Sequence, residues 1–191
     1  MPSEKVALVV GAGKGSGRRA AEALAQRGWQ LAVSDLTPVN LDETVARLQA
    51  LGARVRPYLA DIAKKLPVQG LLNQVLDDFG RLDLVVNCAE VEPQKSVLEM
   101  DEWDWARTLD VNLTAAFLLT QSASRIMKTQ GGGLILHIGS RPKGQARRAA
   151  YFASKAALAT FVQIAAKELA EFGIQVEIDA SLEHALERLG L

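Results

Sequence analysis

Two groups of residues in this chain have the types and spacing that chemistry needs. The first is Gly11-Ala12-Gly13-Lys14-Gly15-Ser16-Gly17. Glycines there permit positive φ and let backbone amides come close to an anion. Where such a turn opens a helix, its N–H groups and the helix dipole favour a phosphate. Gly11, Gly15 and Gly17 make a GxxxGxG spacing; Ser16 takes the sixth position of the GxGxxG fingerprint. Alone, the cluster is equally a flexible turn, and it lacks the Lys-Ser/Thr pair that opens a P-loop helix. The second group is Tyr151 and Lys155, four residues apart. On a helix these two share a face. A free phenol titrates near pH ~10. A neighbouring ammonium stabilises the phenolate, which would let the tyrosine act as a general acid–base near neutrality. Taken alone, the pair reads as surface packing with a snorkelled lysine.

Short apolar runs alternating with amphipathic segments must position these groups. Strands are expected over residues 5–10, 30–34, 54–59, 82–87, 134–138 and 174–178. Helices are expected over 17–28, 41–51, 68–79, 100–129, 151–171 and 182–189, with Gly28, Gly52, Gly80, Gly131 and Gly173 as stops. Short, apolar strands suit a parallel sheet covered on both faces. The β-α-β-α order predicts the α/β class: a Rossmann-type doubly wound parallel sheet of about six strands in three αβα layers. The glycine turn then joins the first strand to the first helix, and Asp35 ends the second strand. That context favours a dinucleotide. A carboxylate at Asp35 accepts hydrogen bonds from both adenosine ribose hydroxyls and repels a 2′-phosphate, while Lys14 offers one flexible opposing charge. NAD(H) is expected over NADP(H). The plainer role for Asp35 is a helix cap or loop residue.

The length of 191 residues suits a single dinucleotide-binding domain over 1–191. Apolar residues make up 49% and charged residues 23%, as in ordinary globular chains. Lysine plus arginine equal aspartate plus glutamate at 22 each. Zero net charge gives no general pull toward nucleic acid or acidic membranes, so neither is expected as a partner. The one cysteine, Cys88, excludes an intrachain disulfide and fits a reducing compartment. Without a signal-peptide pattern or a run of about 18 uninterrupted apolar residues, a cytoplasmic location is expected. No metal-ligand spacing is present, which argues against phosphate transfer.

The same residues, in order, resemble the short-chain dehydrogenase/reductase family. The resemblance rests on the GxxxGxG turn, Asp61-Ile62, Asn87-Cys88-Ala89, Asn112, Ser140 and Tyr151-x-x-x-Lys155. It implies that Gly11, Gly13, Lys14, Gly15, Ser16, Gly17, Asp35, Asp61, Ile62, Asn87, Ala89, Tyr151 and Lys155 bind a nicotinamide dinucleotide. Asp61 would accept from the adenine amino group, and Asn87 and Ala89 would line the cleft. Tyr151 would be the general acid–base, helped by Lys155 and the positive nicotinamide ring. Lys155 would also hold the nicotinamide ribose, Ser140 the substrate oxygen, and Asn112 a water relaying protons from Lys155. The implied reaction interconverts a secondary alcohol and a carbonyl of a small-molecule substrate. The resemblance also implies a homodimer or homotetramer.

The chain departs from the family pattern at several points. Val10 stands where threonine is usual, and Glu90 where glycine is usual. A carboxylate there would crowd the nicotinamide cleft or change its charge balance. The interval from Ser140 to Tyr151 is short and basic, with Arg141, Lys143, Arg147 and Arg148. After residue 178 the usual substrate lid and seventh strand are not apparent, so the chain is expected to be a C-terminally shortened member. These departures leave a second reading open: a dinucleotide-binding sensor, scaffold or partner subunit with little turnover.

Overall fold

A computed structural model of the chain describes residues 5–139 and 145–188. The elements alternate as β1 (Val6–Val10), α1 (Gly15–Gln26), β2 (Gln30–Asp35), α2 (Pro38–Ala50), β3 (Val55–Leu59), α3 (Lys65–Phe79) and β4 (Leu84–Asn87). Next come α4 (Glu102–Leu109), a π turn (Asp110–Thr114), α5 (Ala115–Gln130), β5 (Gly133–Ile138), α6 (Ala149–Leu169), a 3-10 turn (Ala170–Phe172), β6 (Ile174–Asp179) and α7 (Leu182–Arg188). The six strands pair in parallel in the order β3-β2-β1-β4-β5-β6. This is the doubly wound Rossmann-type sheet that the sequence pattern predicts.

Period-2 alternation divides the sheet between two cores. Val6, Leu8 and Val10 of β1 face α3, α5 and α6, together with Val85, Ile135 and Val176. Ala7 and Val9 face the other way, with Leu31, Val33, Val86 and Leu136 against Ala20, Ala21 and Leu24 of α1. β1, β4 and the middle of β2 therefore bury both faces, which explains their apolar sequences, while β3 at the sheet edge keeps Arg56, Pro57 and Leu59 exposed. α6 and its 3-10 turn (Ala149–Phe172) are long and apolar enough to cross a membrane by length and composition. In this fold α6 lies on the sheet, with Leu158, Val162 and Ala165 in the first core. Ala185 of α7 is fully buried in the second core.

The segment expected as one helix over 100–129 is instead two helices joined by the π turn. A π turn inserts one residue into the ladder and re-aims the side chains around it. The winding direction reverses between β1 and β4. In open α/β sheets that point leaves a crevice beyond the strand C-termini. The glycine turn borders it from β1, and Ala89 and Glu90 border it from β4.

Candidate active site

The crevice is a cavity of about 480 Å³. Gly11, Lys14, Gly15, Ser16, Asp35, Asp61, Ile62 and Ala89 line it, together with Glu90 and Arg107. Close packing dictates the glycines. Gly11 has φ +73°, and a Cβ there would stand 2.8 Å from the Ala89 amide nitrogen. A Cβ on Gly17 would meet the Gly11 carbonyl oxygen at 2.0 Å. Gly13 and Gly17 lie behind the turn and hold its shape. The Ser34 carbonyl accepts from the Gly11 and Ala12 amides at 2.9 and 3.0 Å. Arg18 donates to the Gly13 carbonyl at 2.6 Å, and the Thr44 hydroxyl lies 3.0 Å from the Ala12 carbonyl. These side chains occupy the turn's carbonyl oxygens, acceptors that would oppose an anion.

Asp35 is fixed at the end of β2 by two amides. Its Oδ2 accepts from Gly13 N at 2.8 Å and its Oδ1 from Leu36 N at 2.7 Å. A carboxylate has about four acceptor sites, so a pair of hydroxyls can still be bound from the cavity side. Asp61 accepts from Ala63 N at 3.2 Å and pairs with Lys64 and Arg107, each at 3.6 Å. Arg107 on α4 has no sequence signal; only the fold brings it to Asp61.

Asn87 is buried beneath the cavity. Its Oδ1 accepts from Ala89 N at 3.3 Å, and its Nδ2 lies 3.2 Å from His137 Nδ1. The amide makes that ring nitrogen the acceptor. His137 Nε2 therefore carries the hydrogen and donates to Thr120 Oγ1 at 2.9 Å. Burial, and then the charge of Lys155, push the His137 pKa down to about 4, so the ring is neutral. This Asn87–His137–Thr120 chain had no motif to announce it.

Asn112 sits in the π turn, where its side chain clamps the loop after β4. Its Oδ1 accepts from Val91 N at 2.9 Å, and its Nδ2 donates to Val91 O and Ser154 Oγ, both at 3.0 Å. Ser154 Oγ in turn donates to the Tyr151 carbonyl at 2.7 Å. Asn112 thus ties the Glu90-Val91 segment to the first turn of α6. Tyr151 and Lys155 are both buried there. The Tyr151 hydroxyl donates to Glu90 Oε2 at 3.0 Å. Lys155 Nζ stands 2.8 Å from the same oxygen and donates to the Ile138 carbonyl at 3.2 Å. The Glu90 side chain is 43% exposed and that of Lys155 2%. A carboxylate on the cavity wall therefore joins the phenol and the ammonium behind it.

Ser140, Arg141 and Lys143 lie outside the described residues. Arg147 pairs with Glu99 at 2.8 Å, and Arg148 pairs with Glu92 at 2.9 Å. Among the described residues no three of His, Cys, Asp and Glu gather as a metal site.

Comparison with known proteins agrees with this geometry. The short chain dehydrogenase family model matches residues 5–180. An uncharacterized oxidoreductase of Thermotoga maritima is 36% identical over 174 residues, which is 90% of this chain and 68% of that protein. A 3-oxoacyl-[acyl-carrier-protein] reductase of a Synechocystis strain is 36% identical, covering 90% of this chain and 71% of the relative. Among solved structures, an NAD+-bound xylitol dehydrogenase superposes with a TM-score of 0.88 at 33% identity, over 93% of this chain and 70% of that one. The family match runs through all six strands and every described part of the crevice, and this chain belongs to the short-chain dehydrogenase family of oxidoreductases.

Proposed function

We propose that the chain is an NAD(H)-dependent oxidoreductase that interconverts a secondary alcohol and a carbonyl, with Tyr151 as general acid–base. The observation that carries this reading is the convergence of the Tyr151 hydroxyl and Lys155 Nζ on one point of the cavity wall, at 3.0 and 2.8 Å. The cavity fits a dinucleotide: Gly11 leaves no room for a Cβ, and α1 opens directly onto the crevice. The turn from Gly11 to Gly17 would hold the diphosphate, Asp35 the adenosine ribose, and Asp61 and Ile62 the adenine end. Bound there, the nicotinamide group supplies or accepts the hydride.

The chain's own residues manage position and protons. Tyr151 gives a proton to the substrate oxygen or takes one from it. Lys155 offers its ammonium to the ribose and to the phenol. Asn112 fixes the distance between the β4 loop and α6. Ser140 would polarise the substrate oxygen. Asp35 favours NAD(H), because a carboxylate beside a 2′-phosphate brings like charges together. The substrate is a small alcohol or ketone. The same reading makes residues 1–191 one dinucleotide-binding domain that works in the cytoplasm. It pairs with a second copy through α5 and α6, where Phe117 and Ile164 are 43% and 49% exposed.

The test joins binding to turnover. Calorimetric titration is expected to give tighter binding for NADH than for NADPH. Turnover over a panel of secondary alcohols and ketones falls at least about 100-fold in Tyr151→Phe, the lower bound for removing a general acid–base. Binding of neither coenzyme defeats the reading. Undiminished turnover in Tyr151→Phe defeats the role of the phenol.

A further inference from the structure

We propose that Glu90 is a positioning residue that holds the proton on Tyr151, setting the pH at which the site changes from proton donor to proton acceptor. The proposal rests on the reading of Tyr151 as the acid–base. Its basis is geometric. One oxygen of Glu90 accepts from the phenol at 3.0 Å and meets Lys155 Nζ at 2.8 Å. A phenol can donate to that carboxylate; a phenolate would face it as a second anion at contact distance. Two anions so close oppose each other's ionisation. The carboxylate also engages the ammonium that would otherwise stabilise the phenolate. Glu90 thus opposes ionisation of Tyr151 both directly and by occupying Lys155.

The arrangement is held from both sides. The adjoining Val91 backbone is clamped by Asn112 at 2.9 and 3.0 Å. Asn112 reaches the first turn of α6 through Ser154. Two neighbouring ionisable groups are uncharged at neutral pH, and a third is paired. His137 on β5 is buried and neutral. Burial pushes the Cys88 thiol, at the end of β4, up to about 12. Glu92, farther along the same loop, is matched by Arg148 at 2.9 Å. Glu90, at 3.0 Å from the phenol oxygen, and Lys155, 5.4 Å from the ring centroid, are the charges through which the carboxylate acts on the phenol.

The experiment is an NMR titration of the whole chain labelled with 13C at the tyrosine Cζ. The sequence has two tyrosines; Tyr58→Phe identifies the Tyr151 signal. Wild type is compared with Glu90→Gln, which keeps shape and removes charge, and with Glu90→Ala. The Tyr151 midpoint is expected to be lower by about one pH unit or more in both variants, a roughly tenfold loss of proton affinity. A wild-type signal unmoved by about pH 11, beside variants that titrate below it, is the same result. A midpoint that is unchanged or higher without the carboxylate overturns the proposal, as does a Tyr151 signal that titrates in none of the three proteins. The titration needs neither coenzyme nor substrate. Failure of the oxidoreductase reading would show in calorimetry and turnover, and failure of the Glu90 role would show here.

Discussion

The proposed preference for NAD(H) rests on one carboxylate, Asp35, already oriented by the Gly13 and Leu36 amides. Asp35→Ala removes both the hydroxyl acceptors and the negative charge. NADH affinity is expected to fall about tenfold, near the 1.4 kcal/mol of one charge-assisted hydrogen bond, while NADPH affinity rises. Calorimetry with both coenzymes checks this, and an unchanged ratio would place the preference elsewhere. At this scale the sequence was readable wherever a residue's role is local. Asp35 follows an apolar run, and Tyr151 and Lys155 share a helix face by spacing alone. Glu90 could be read only as a carboxylate intruding near the nicotinamide. Its two partners lie 61 and 65 positions away, and no local pattern encodes that meeting. Arg107 was invisible for the same reason.

The junction of β1 and α1 depends on missing side chains more than on present ones. Gly11→Ala forces a methyl group against the Ala89 backbone at 2.8 Å, in a residue with φ +73°. The expected loss is about 1–3 kcal/mol of stability. That corresponds to a melting temperature lower by several degrees, together with loss of coenzyme binding. A thermal melt and a titration of one sample measure both effects; an unaltered variant would mean the turn relaxes freely. Strand and helix order was legible because apolar period and glycine stops are written locally. The π turn at Asp110–Thr114 was not, since a continuous helical pattern runs through it from α4 to α5. Packing of the loop after β4, delivered through Asn112, accounts for the break better than any propensity does.

Over the molecule as a whole, acid sensitivity should trace to His137. Its folded value lies near 4, below the ordinary 6.5. The unfolded chain therefore binds the extra proton first as pH falls. Stability from this site is complete above about pH 6.5 and drains away toward pH 4, at about 1.4 kcal/mol per unit. Urea midpoints measured across that window should slope downward on acidification in the wild type and less steeply in His137→Asn. Equal slopes would assign the acid loss to other groups.

Cys88 lies at the floor of the crevice between the glycine turn and Glu90, with its thiol far from ionisation at neutral pH. A thiol in that state is a poor nucleophile. The chain thus carries its own silent gauge of access: alkylation should proceed at the pace of transient opening, and an occupant of the crevice should slow it further.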